Sequence, residues 1–115
     1  MGSKGKGSRR RFQPGAGGMM KQIQQLQGQM AQAQDELAEE TVTASVGGGV
    51  VTVVMTGQQE VRAVIIDPEA VDPEEVDMLQ DLIVAAVNEA VRESRKLAEK
   101  KMAPLAGALN LSGLM

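Results

Sequence analysis

From Met19 onward, apolar residues recur at alternating steps of four and three: Met19, Ile23, Leu26, Met30, Ala33 and Leu37. That spacing is a heptad seam, with Gln and small residues on the remaining positions. It predicts a helix over about residues 19–40. Gly28 costs such a helix roughly 1 kcal/mol relative to Ala. The stripe is narrow, so the helix needs a partner surface to bury it.

The period then changes from helical to two. Val42, Ala44 and Val46 alternate along 41–46, which predicts a strand. Gly47-Gly48-Gly49 supplies a turn open to positive φ. Residues 50–56 are a β-branched run, 57–59 a second short turn, and 60–66 a third strand closed by Asp67-Pro68. Short loops between successive strands favour an antiparallel meander. The second and third strands carry apolar residues at both parities, Val51, Val53 and Met55 against Val50 and Val54, then Val61, Ala63 and Ile65 against Val64 and Ile66. A sheet with one wet face does not need that.

Asp72-Pro73-Glu74-Glu75 reads as a helix start: Asp72 as N-cap, Pro73 at the first helical position, Glu75 at the capping-box position. Val76, Leu79, Leu82, Ile83, Ala86, Val87, Ala90, Val91, Leu97 and Ala98 then carry a helix to about Met102, where Pro104 is expected to stop it. Such a helix is roughly 45 Å long, whereas strands of this size span only about 20 Å. Its C-terminal half must overhang the sheet. The fold class expected is therefore α+β, ordered α-β-β-β-α around a three-stranded antiparallel sheet. Residues 1–18 are expected to be a flexible basic tail, 19–102 the folded domain, and 103–115 a flexible apolar tail. So small a domain, with a two-faced sheet and an overhanging helix, calls for a homodimer. The interface residues expected are Ile23, Leu26, Met30, Val51, Val53, Val64, Ile66, Leu79 and Ile83.

Composition narrows the function. The 115 residues include no Cys, His, Trp or Tyr and a single Phe, Phe12. That argues against a zinc site, a nucleophile–base dyad and a redox thiol, and against an aromatic platform for single-stranded bases. No cofactor and no membrane span is expected, and the basic N-terminus lacks the apolar run of a signal peptide. The expected setting is the cytoplasm. The Gly-rich segment 2–8 lacks the Gly-Lys-Ser/Thr of a phosphate loop, and 47–49 joins two strands rather than a strand and a helix. The acids between Asp67 and Asp81 lack the spacing of a calcium loop, and helix capping with a solvated face explains them. No enzyme activity is expected. The eight methionines fill core and interface positions, or line a groove for a partner helix.

The net charge of −3 hides a split. Residues 1–21 carry Lys4, Lys6, Arg9, Arg10, Arg11 and Lys21 with no acid, for +6. Residues 22–91 sum to −12, with Arg62 as the single base. Residues 92–115 carry Arg92, Arg95, Lys96, Lys100 and Lys101 for a net +3. Arg92, Lys96 and Lys100 fall four apart, so they form one stripe on a helix, with Arg95 on the adjoining face. Local pairs such as Glu89–Arg92 and Glu93–Lys96 account for part of that stripe. Two basic ends around an acidic middle favour phosphate binding. With no aromatic interleaving and no helix-turn-helix, contacts to duplex DNA should fall mainly on the backbone. The alternative is a protein-interaction module that uses the heptad seam and apolar tail.

Particular segments also resemble a known family. Met20-Lys21-Gln22-Ile23-Gln24-Gln25-Leu26-Gln27 with Met30 is similar to the first helix of the YbaB/EbfC nucleoid-associated proteins. Gly49-Val50-Val51-Thr52-Val53, Gly57 and Val64-Ile65-Ile66-Asp67-Pro68 resemble its strands. Met78 to Ala90 resembles its Leu-x-Asp-Leu-hydrophobic-x-Ala-Ala-x-Asn-Asp-Ala segment. Lys100-Lys101-Met102 and residues 107–111 also fit, while Ser112 stands where the family often has Pro. The Arg9-Arg10-Arg11 extension is more basic than the family pattern. The resemblance implies an intertwined homodimer whose sheets merge into one core and whose paired helices project as arms. It further implies DNA binding, nucleoid organisation and, in some members, effects on transcription.

Overall fold

The computed structural model describes residues 14–111. Its elements are helix α1 (Pro14–Glu39), strands β1 (Thr41–Val46), β2 (Val51–Thr56) and β3 (Val61–Ile66), two single 3-10 turns (Pro68–Ala70 and Pro73–Glu75), and helix α2 (Val76–Leu111). The sheet is antiparallel with β2 in the centre. Register places Val42, Ala44 and Val46 opposite Met55, Val53 and Val51, so one face of β1 and β2 is continuously apolar.

That face is covered by α2. Ala86 and Ala90 are fully buried against Ala44, Val51, Val53 and Met55, and their small side chains let the helix axis approach the strands. Leu79, Leu82, Ile83, Val87 and Val91 pack around them. Ser94 ends the contact: its hydroxyl is sealed from water and donates to the Thr56 carbonyl at 2.8 Å. The rest of α2 runs on past the sheet.

The apolar surplus of the third strand has a specific location. Val64 and Ile66 lie opposite Val53 and Val51, on the helix-covered face. However, α2 spans only β1 and β2, leaving Val61 and Val64 each 45% exposed. The opposite face is polar along β1, where the Ser45 and Thr52 hydroxyls bond at 2.8 Å, and apolar only toward Val54, Ala63 and Ile65.

Local chemistry explains the connections. Gly47, Gly48 and Gly49 all have positive φ, as a tight reversal between β1 and β2 requires. Asp67 and Asp72 each accept a hydrogen bond from the N–H two residues on, at 3.0 Å, and each precedes a proline. These are Asx-type turns. The expected start at Asp72-Pro73 is present, with a 3-10 turn before the α-helix proper. Glu75 contributes its N–H to the Asp72 carbonyl at 2.9 Å.

Both helices are longer than expected. α1 begins at Pro14 rather than Met19, so residues 14–18 extend the helix, while 1–13 lie outside the described residues. α2 continues through Pro104 to Leu111. Proline at 104 removes the hydrogen bond to the Lys100 carbonyl, but its φ is helical. Ala103, Leu105, Ala106 and Ala108 are strong helix formers, and Leu105 is half-buried. Residues 112–115 of the expected C-terminal tail lie outside the described residues.

Candidate nucleic-acid interface

The bases on α2 do not form one uniform class. Arg92 donates to Glu89 at 2.7 Å, and Lys96 reaches Glu93 at 3.5 Å. Both are i,i+3 pairs on an exposed helix face, where an ion pair is worth little and exchanges readily. Arg92 nevertheless holds the Glu89 carboxyl below its ordinary value, by hydrogen bonding first and charge second. Arg95 and Lys100 are exposed and make no ion pair among the described residues, and the same holds for Lys21 on α1.

Lys101 behaves differently. Its ammonium bonds Glu36 of α1 at 3.0 Å and also Glu40, the residue between α1 and β1. Hydrogen bonds donated to Glu40 first and Glu36 second raise the Lys101 ammonium above the usual lysine value. The hydrogen bond from Lys101, with its charge, holds Glu36 below the usual carboxylate value.

Two further side chains converge on the same end of α1. Arg62 donates to the Ala38 carbonyl at 2.9 Å, and Gln58 donates to the Gln34 carbonyl at 2.9 Å. The last carbonyls of a helix lack internal partners and carry its negative end. Arg62, a cation on the Ala38 carbonyl, satisfies both needs, and Gln58 adds a neutral donor one turn earlier. Leu37 is buried beside Gly57, where an added Cβ would lie 2.5 Å from Leu37 Cδ2 and 3.1 Å from the Leu37 carbonyl oxygen. Gly57 is what lets α1 come this close to the sheet. Lys101, Arg62, Gln58 and Gly57 thus form a clasp that fixes the direction in which α1 leaves the sheet.

The sequence pattern did not single out Arg62 or Gln58. The available signal was that Arg62 is the one base in the acidic stretch 22–91. Lys4, Lys6, Arg9, Arg10 and Arg11 lie outside the described residues. Of the expected interface residues, Val51 and Val53 are fully buried in the chain's own core, and Leu79 and Ile83 are half-buried against it. Ile23, Met30 and Val64 are exposed, and Leu26 and Ile66 are half-buried.

Among the described residues no group of acids could hold a metal, and no helix is long and apolar enough to cross a membrane. Clasped helices carrying bases that make no ion pair among the described residues, with the acids gathered at Asp67 to Asp81, suit a binding module. The chain belongs to the YbaB/EbfC DNA-binding family, whose model matches residues 13–109. The family is defined by DNA binding rather than by a reaction. Relatives called nucleoid-associated protein include one of Syntrophobacter fumaroxidans, 54% identical over 83% of this chain and 86% of its own. Another, of Moorella thermoacetica, is 55% identical over 83% of this chain and 91% of its own. The crystal structure of the uncharacterized protein HP0035 of Helicobacter pylori shares the fold, with a TM-score of 0.59, 22% identity, and coverage of 83% of this chain and 94% of that one.

Proposed function

We propose that this chain is a nucleoid-associated protein that binds duplex DNA as a homodimer, chiefly through phosphate contacts, and so organises the nucleoid and modulates gene expression. Family membership across nearly the whole described chain carries the DNA reading. The free cations Lys21, Arg95 and Lys100 supply the contacts, with Arg92 and Lys96 available after exchange of their local acids. The basic segment 1–13 adds to them. The uncovered apolar strip at Val61, Val64 and Ile66, and the exposed seam at Ile23 and Met30, are the surfaces a second copy would bury.

The mechanism is electrostatic. A phosphate-binding cation releases condensed counterions from DNA, so affinity falls steeply with salt. Among the described residues, Lys21, Arg95 and Lys100 give six bases without an ion pair in a dimer, enough for about a 10³-fold loss of affinity between 50 and 200 mM salt. A mobility-shift series with the full chain should show at least that loss. A flat response, or no binding at low salt, would refute the proposal. The exposed Met19, Met20 and Ile23 favour a second reading, a protein partner on α1. Capture of one defined protein that survives nuclease and high salt would support it.

A further inference from the structure

We propose that residues 1–13 of one copy of this chain dock into an acidic-rimmed apolar cleft on another copy. The cleft has a volume of about 550 Å³ and lies where β1 turns into β2 and α2 begins. Val50, Met78 and Leu82 form its apolar floor, and Glu69, Asp72 and Glu75 stand on its rim. Met78, a large apolar side chain, is 59% exposed among the described residues. The rim acids form no ion pair among the described residues. No base occurs between Arg62 and Arg92 in the sequence, and Asp72 has one backbone partner, the Glu74 N–H.

The occupant is indicated by complementarity. Residues 1–13 hold Lys4, Lys6, Arg9, Arg10 and Arg11 without an acid, followed directly by Phe12, the only aromatic side chain of the protein. Three consecutive arginines match a rim of three carboxylates, which the planar guanidinium fork pairs well. The adjoining phenyl ring fits the apolar floor. Neither half of the match works alone: the rim lacks a cation and the floor lacks a cover.

Geometry assigns the segment to a second copy. The clasp joins Glu36 to Lys101, which is roughly 33 Å along α2 from Leu79. From Glu36 to Pro14, α1 runs about another 33 Å. It does not fold back over the sheet or the sheet-bound part of α2, because Ile65, Val84, Arg92 and Lys96 are exposed. Thirteen extended residues reach at most about 45 Å. A copy's own cleft is out of range, so the occupied cleft belongs to another copy. The contact closes where two copies exchange segments reciprocally and propagates from molecule to molecule where they do not.

The absence of native cysteine provides the test. A nitroxide on full-length S3C is mixed with spin-free full-length protein carrying ¹³C-methyl methionine, without DNA, so the outcome is independent of the DNA reading. At about 50 mM salt the Met78 methyl signal should lose intensity, and it should recover near 500 mM, where screening is a few ångströms. Buried Met55 should keep its intensity. The loss should vanish in full-length E69Q/D72N/E75Q and weaken when the nitroxide-bearing copy also carries F12A. An unchanged Met78 signal overturns the proposal. So does an equal loss in the triple variant, an equal loss at exposed Met19 and Met20, or a loss seen only when label and ¹³C share one chain.

Discussion

Replacing Lys101 and replacing its neighbour Lys100 should have opposite signatures on DNA. Lys100 is an exposed cation with no ion-pair partner among the described residues, whereas Lys101 is held by Glu36 and Glu40. In a homodimer each substitution removes two cations. If both Lys100 side chains contact phosphate, K100M should make the slope of log affinity against log salt shallower by about 1.8. R95M should do the same. K101M should leave the slope within about 0.5 of the parent, because a base that neutralises protein carboxylates releases no counterions from DNA. Its affinity should still fall at every salt concentration, since α1 loses its tether. Fluorescence anisotropy of a labelled duplex at four salt concentrations measures both quantities. E36Q/E40Q in the K101M background removes the stranded carboxylates and separates their repulsion from the lost tether. A slope change for K101M as large as that for K100M would show Lys101 to be a phosphate contact and would refute the clasp.

Three other outcomes follow from the same geometry. G57A should destabilise the fold by about 1–3 kcal/mol in denaturant unfolding, because its Cβ would collide with Leu37 and part of the clash is with backbone; a change under about 0.5 kcal/mol would contradict the close approach. S94A should cost about 0.5–1.5 kcal/mol, since it removes one of two hydrogen bonds on the buried Thr56 carbonyl and leaves that carbonyl the Gln59 N–H. The clasp should hold through the neutral range and weaken on both sides. Glu36 is depressed, so its contribution is complete above the usual carboxylate range and disappears as pH falls through its lowered value. Lys101 is raised, so its contribution is complete below the usual lysine value and is lost as pH rises through its raised value. Helical Cα shifts of residues 34–39 followed by NMR should trace that plateau, and a monotonic change across neutral pH would contradict it.

The parts of the molecule governed by short-range periodicity were legible in the chain. The two-residue period of Val42, Ala44 and Val46, the three glycines at 47–49, and Asp72-Pro73 all lead to the elements observed. The pairs Glu89–Arg92 and Glu93–Lys96 could also be read, because three residues on a helix is a contact distance. The helix limits at Pro14 and Pro104 were not legible. Glycine and proline there oppose a helix by intrinsic preference, and propensity is a weak guide where flanking residues favour the helix. Lys101 was grouped with the other terminal bases because its partners lie 61 and 65 residues earlier in the chain. No local rule distinguishes it from Lys100. Apolar residues at both parities of β3 implied two faces to bury; the register places Val64 and Ile66 on the face that α2 covers in part, and Ala63 and Ile65 on the opposite face.

The clasp also makes α1 a lever. One end of a helix about 39 Å long is fixed between Gly57 and Lys101, and toward the other end residues 17–25 are exposed among the described residues. A tilt of about 5° at the fixed end moves the far end by roughly 3.4 Å, twice the ~1.7 Å axial charge spacing of duplex DNA. On the proposed phosphate-binding reading, sub-ångström changes at Leu37 would be magnified into a different alignment of Lys21 with the phosphates. Side chains that never touch a nucleic acid can tune its register from the far end of the helix.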